Sequence, residues 1–146
     1  MVDKNDKYNG RKYFKDIIKN TKSYKSINYN DFSGLYIFYS YGKPVYVGIS
    51  GTVIRRLKHH LFGQKDNESS FVYLMARTKH EKEIGNKYTG KRSDFVFDEY
   101  RDDIQKEMKE KWSLKYIQIE NGYFLSFIEI YIACALQTEW NTFKTH

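Results

Sequence analysis

Glu129 is the only charged residue between Tyr123 and Thr138, inside a run that is apolar on nearly every side. A carboxylate left unpaired in such surroundings is expensive, so it should be neutralised, paired or bound to a cation. A hard divalent ion is one natural partner, because Mg²⁺ (or Mn²⁺ in its place) is often held by one or two carboxylates, with waters and substrate phosphate completing its shell. A rival reading is equally concrete. Ser126-Phe127-Ile128-Glu129 fits a capping box, in which the glutamate reaches back to a backbone N–H at the start of a helix. Upstream, Arg55 and His59 compete with Arg56 and His60 as a basic pair four residues apart. With residues at about 100° intervals from Val53, the apolar Val53, Ile54, Leu57 and Leu61 centre near about 50°. Arg56 and His60 fall at about 300° and about 340°, on the border of that stripe, while Arg55 and His59 at about 200° and about 240° point away. Only the first pair can border both a core and a cleft; the bland alternative is two side chains snorkelling at a helix edge.

The elements that must position these groups can be read from local pattern. Gly34 to Tyr39 and Val45 to Gly48 flank Ser40-Tyr41-Gly42-Lys43-Pro44 and read as a β-hairpin. From Thr52 the period becomes helical, with Thr52 available as N-cap and Gly63 as the stop. A second helix is expected from about Ser70 through Arg77, followed by a polar loop from Lys79 to Arg92, and a charged third helix over roughly Asp98 to Lys111. Leu114 to Ile119 reads as a strand. Asn121-Gly122 is a hairpin signal, yet Leu125 to Thr138 has the length and composition of a buried helix, and the helix is the expectation. Residues 1–30 read as a basic arm carrying a short helix around Tyr13 to Lys19, and residues 31–146 as a single domain.

Composition narrows the class. The chain has 146 residues, 40% of them apolar, 18% aromatic and one a proline, which excludes disorder as the main state. One cysteine excludes an internal disulfide and a four-cysteine zinc site. The amino terminus lacks a signal-peptide core and no apolar run reaches the length of a membrane span, so the expected compartment is the cytoplasm. The net charge of +7 is segregated: residues 1–26 hold eight basic against three acidic side chains and 77–92 six against two, whereas 94–110 hold three against seven. Such a field suggests a polyanion, with nucleic acid the first candidate; a solvated lysine-rich surface is the alternative. There is no phosphate-binding loop ending in GK[ST], no HExxH and no Gly-x-Ser-x-Gly elbow.

Gly34-Leu35-Tyr36 followed by Tyr46-Val47-Gly48 resembles the paired signature of the GIY-YIG nuclease superfamily, each triplet changed only at its middle apolar position. The order of the downstream elements is similar too: a helix with Arg56 and His60, a third strand, then a helix with Glu129 and a late Asn141. The resemblance spans about Gly34 to Asn141 with 63–111 unmatched. It implies a small α/β (α+β) domain with a three-stranded, mainly antiparallel sheet flanked by helices, acting as a Mg²⁺-dependent DNA endonuclease. In that reading Glu129 holds the metal, Tyr36 activates water with help from Tyr46 and His60, Arg56 stabilises phosphate charge, and Asn141 serves either catalysis or structure. A phenol with a pKa near 10 is a poor base unless positive charge favours its phenolate. Ile49 stands where many members carry a lysine, with Lys43 and Arg55 as candidate replacements. Lys43, Arg55, Lys58, Lys79, Lys82, Lys87, Lys91 and Arg92 are the candidate phosphate-gripping residues. A chain with one site that cuts both strands would need to form a homodimer. The alternative is a non-catalytic nucleic-acid-binding module on the same fold.

Overall fold

The β-branched and aromatic run from Gly34 folds into the expected hairpin, in which β1 (Gly34–Ser40) pairs antiparallel with β2 (Lys43–Ser50). The structure, a computed structural model, describes residues 30–142, so the expected basic arm and its helix lie outside the described residues apart from Asn30. Tyr41 and Gly42 both have positive φ, 49° and 80°, as in the type I′ turn whose twist matches the flanking strands. The register slips between Phe38 and Tyr39, leaving Val45 without a partner on β1. The Val45 carbonyl instead accepts the Trp140 N–H at 3.0 Å. Pro44, which has no N–H to give, sits where the ladder is broken. On the other side of β1 runs β3 (Trp112–Gln118), also antiparallel, giving the order β2-β1-β3.

Four α-helices flank this sheet among the described residues: α1 (Val53–Phe62), α2 (Ser70–Ile84), α3 (Phe97–Lys111) and α4 (Gly122–Leu136). Strand side chains alternate between faces. Tyr36, Phe38 and Leu114 join the core built with α1, α2 and α3, while Leu35 and Val47 pack with Leu125 and Ala133 of α4. The result is an α+β domain, a three-stranded antiparallel sheet covered on both faces. Among the described residues no helix is long and apolar enough to cross a membrane.

Three local expectations change. Thr52 holds the N-cap position of α1 but makes no side-chain capping bond. Asp31 caps the helix from outside, its Oδ1 accepting the Ile54 N–H at 2.8 Å and its Oδ2 the Arg55 N–H at 3.1 Å. Helix α2 runs past Arg77 to Ile84, so the first part of the expected loop is helical and carries Lys79 and Lys82. The Arg77–Glu81 pair, four residues apart, supports the extension, and Gly85 at φ 72° closes it in the left-handed conformation. Helix α4 starts at Gly122, with the Asn121 side chain accepting the Phe124 N–H at 3.1 Å. Asn121-Gly122 is thus a helix cap and not a hairpin turn, and Glu129 lies in mid-helix, which excludes the capping box.

Candidate active site

Two glycines decide how closely the strands approach. A Cβ at Gly48 would fall inside the van der Waals envelope of Tyr36 Cζ and Oη, and one at Gly34 would meet the Ile117 carbonyl oxygen. Tyr36, opposite Gly48 in the β1–β2 register, therefore lays its ring over a strand position that has no side chain.

That ring is 1% exposed, and its Oη lies 2.7 Å from His60 Nε2. His60, supplied by α1, is fully buried. Its Nδ1 lies 2.6 Å from Ser69 Oγ, which also accepts the Val72 N–H at 3.1 Å as the N-cap of α2. Burial pushes His60 well below its ordinary value of 6.5, and the charges of Arg56 and His59 act the same way. A neutral imidazole donates from one nitrogen and accepts at the other, so Tyr36, His60 and Ser69 form one continuous hydrogen-bonded chain. Gln105 of α3 fastens the end of α1 from behind, its Nε2 donating to the carbonyls of His60 and Gly63 at 3.2 and 2.8 Å.

Tyr46 is the phenol that reaches the surface. Together with Phe71, Leu74, Glu129, Trp140 and Asn141 it lines a cleft of about 230 Å³ beside the β2 edge, where its ring stacks on Phe71 at 4.2 Å and 10°. Burial raises the pKa of both phenols. Arg56 opposes the rise at each by its charge and by side-chain hydrogen bonding, while Glu129 adds to it. Arg56 is anchored by its Nη1, which donates to the Glu68 carbonyl at 3.1 Å. Glu129 is half-buried, and that burial raises its carboxyl pKa. Among the described residues no side chain pairs with it. A half-buried carboxylate that faces a cleft and lacks a protein counter-charge fits a divalent cation, which needs few protein ligands when phosphate and water complete its shell. No group of three or more His, Cys, Asp or Glu side chains offers a fuller cage among the described residues.

Asn141 is occupied by the fold. Its Oδ1 accepts the Val47 N–H and its Nδ2 donates to the Val47 carbonyl, both at 2.8 Å, so the amide acts as a strand partner on the free edge of β2. Thr138 Oγ1 donates to the same Oδ1 at 2.7 Å.

The sheet, α1 and α4 thus bring Tyr36, Tyr46, Arg56, His60, Glu129 and Asn141 to one region. The burial of Tyr36 leaves the cleft-facing place, where a water could be activated, to Tyr46. The expected basic residues are more scattered. Lys43 is exposed at the hairpin end of β2 and Arg55 on the outer side of α1, while Lys58 is only partly exposed. Lys79 and Lys82 stand on α2 roughly 14–18 Å beyond Ser70 at 1.5 Å per residue, and Lys87 and Lys91 come after Gly85. Arg92 is committed to Asp66, Nε to Oδ2 at 2.8 Å, and lies over the Tyr73 ring at 4.1 Å. This pair lines a larger cavity of about 470 Å³ that includes none of the catalytic candidates. Sequence reasoning missed Ser69 as the partner of His60, although Ser69-Ser70 before an apolar run marks a helix start. It also missed Gln105, hidden on a charged helix.

No known protein family model and no curated protein matches the chain. Two solved structures are similar to it, both of the GIY-YIG N-terminal endonuclease domain of UvrC from Thermotoga maritima, one bound to magnesium and one a point mutant bound to its catalytic divalent cation. Each is 17% identical with a TM-score of 0.46, over 89% and 90% of this chain and 97% of the other.

Proposed function

We propose that the protein is a Mg²⁺-dependent DNA endonuclease of the GIY-YIG kind, hydrolysing phosphodiester bonds in the cytoplasm. The observation that carries this reading is the unpaired, half-buried Glu129 carboxylate on the cleft that Tyr46 faces, backed by Tyr36, His60 and Ser69 and flanked by Arg56. Glu129 would hold the ion, with Mn²⁺ as a substitute. When bound, Mg²⁺ supplies positive charge to a scissile phosphate oxygen. Arg56, whose charge lowers the pKa of both phenols, favours the Tyr46 phenolate, whose Oη then takes the proton of the attacking water and becomes the neutral phenol. The neutral His60 ring fixes the Tyr36 hydroxyl so that it stays beside Tyr46. Arg56 also stands where it can stabilise charge that grows on the phosphate. The basic amino-terminal residues, together with Lys43, Arg55 and Lys58, would contact flanking phosphates, which position a duplex without reading its sequence.

Glu129→Gln tests the reading. Plasmid nicking that requires Mg²⁺ and stops in EDTA should fall by at least about a thousandfold in this variant, the scale of losing a central catalytic group. Mg²⁺ should raise the melting temperature of the wild type and leave that of the variant unmoved. Burial that keeps both phenols protonated, and Ile49 in place of a lysine, favour the second reading, a binding module without catalysis. Duplex binding with no Mg²⁺-dependent nicking would establish that module.

A further inference from the structure

Among the described residues nothing covers the outward face of α4, which is apolar. Among the described residues Tyr123 is 95% exposed, Phe127 69% and Tyr131 64%, with Ile130 and Phe124 about half exposed. Around the helix axis Tyr123, Phe127, Ile130 and Cys134 centre near about 110° when Gly122 is set at zero, whereas the packed Leu125, Ile128 and Ile132 centre near about 270°. At about 150–250 Å² per aromatic side chain, the exposed face presents on the order of 600 Å² of surface. That approaches the ~800 Å² per partner of a standard interface and is at the upper limit of what a monomer leaves bare.

We propose that this face is a symmetric interface between two copies of the chain, with the two α4 helices packed antiparallel. The spacing is self-complementary. Tyr123, Phe127, Ile130 and Cys134 succeed one another at intervals of four, three and four, which is the seam of a coiled coil. A twofold axis between residues 128 and 129 sets Phe127 against Ile130 of the partner subunit and Tyr123 against Cys134 of the partner subunit, so every seam position meets another. Charge agrees with a second copy. The chain carries +7 overall, yet Gly122–Leu136 contains one charged residue, Glu129, directed to the cleft about 130° from the seam. No like charges are brought face to face there, while the absence of lysine and arginine leaves no cation for a nucleic-acid backbone.

The test is made on the full chain without DNA, so its outcome is independent of the nuclease reading. Sedimentation equilibrium up to about 100 µM should show a dimer. Phe127→Glu and Ile130→Lys should each weaken it at least tenfold and leave the melting temperature unchanged at concentrations where the wild type is monomeric, because both side chains face outward in the single chain. Tyr123→Cys should join two chains through native Cys134 with a thiol cross-linker spanning about 10 Å, the separation of packed helix axes. The wild type, whose two Cys134 residues would lie about 16 Å apart across the twofold axis, should cross-link far more slowly. A monomer throughout overturns the proposal, as does a dimer indifferent to both charge substitutions. Efficient cross-linking of the wild type overturns the antiparallel pairing. Dimerisation that appears only after residues 1–29 are removed would show that the chain covers this face itself, and overturns the proposal for the intact protein.

Discussion

Gly48 determines where the Tyr36 ring can lie, because the ring occupies the space that a Cβ at position 48 would need. Gly48→Ala must push a buried ring against His60 and Phe38, and overpacking of this kind costs about 1–3 kcal/mol. Nicking should fall at least tenfold as the Tyr36–His60 bond is strained. Gly51→Ala, with nothing within 4 Å of the added carbon, should change neither urea stability nor nicking; equal effects from both would separate Gly48 from the site. His60 makes a pH prediction. Its folded-state pKa is depressed, so as pH falls below its ordinary 6.5 the unfolded chain takes up a proton that the folded chain refuses. The unfolded state then binds more protons, and stability is lost on acidification. His60→Gln should therefore lose less stability than the wild type between about pH 7.5 and about pH 5.5 in urea titrations. Glu129, its pKa raised by burial, acts in the opposite sense but is present in both proteins, so the difference isolates His60. Identical pH slopes would show that His60 is not held neutral. At this scale the helical angles were informative for three of the four residues: the structure buries His60, partly buries Arg56 and leaves Arg55 exposed, but it partly buries His59 as well. The Ser69 contact and the Asn141 amide on Val47, 94 residues away in sequence, depend on tertiary approach and leave no local signal.

At the scale of elements the hairpin was legible because β-branched and aromatic runs flank a turn, and α3 because its charge pattern is helical. The boundaries that moved did so for physical reasons. Past Arg77 the α2 sequence loses its apolar stripe, and the helix continues on an ion pair, with Gly85 marking the end that composition alone placed earlier. Asn121-Gly122 serves equally well as turn or cap, and the long apolar run behind it chooses the cap. The cap of α1 misled for a different reason. Thr52 has the right residue type and position, but Asp31, far upstream in sequence, meets two free N–H groups with two carboxylate oxygens. Asp31→Ala should accordingly destabilise the domain by about 0.5–2 kcal/mol, the range for loss of an N-cap, and Thr52→Ala by much less. Urea titrations of the two variants check this; a larger loss at Thr52 would return the cap to it.

For the whole molecule, charge and apolar surface are segregated. Basic side chains concentrate in residues 1–26 and 77–92, while the α4 seam is uncharged and stands away from the cleft. If two copies join through α4, both clefts remain open, because Phe127 and Glu129 lie about 160° apart around the helix. On the proposed nuclease reading each cleft would carry out one hydrolysis, so a dimer would engage two phosphodiester bonds in one encounter, whereas a monomer would have to dissociate and rebind. Effective concentration sets the expected kinetics, since the second cut in a dimer is intramolecular. Above the dimer dissociation constant, wild-type protein should convert supercoiled plasmid to linear DNA with little nicked circle accumulating. Phe127→Glu should nick at an unchanged first-cut rate, since its side chain is remote from Glu129, but should accumulate nicked circles and form linear DNA at least tenfold more slowly. A gel time course resolves the two species. Linear product appearing equally fast in both proteins would mean that each strand is cut in an independent encounter, and that α4 pairing, even if present in solution, does not bring two clefts to one duplex.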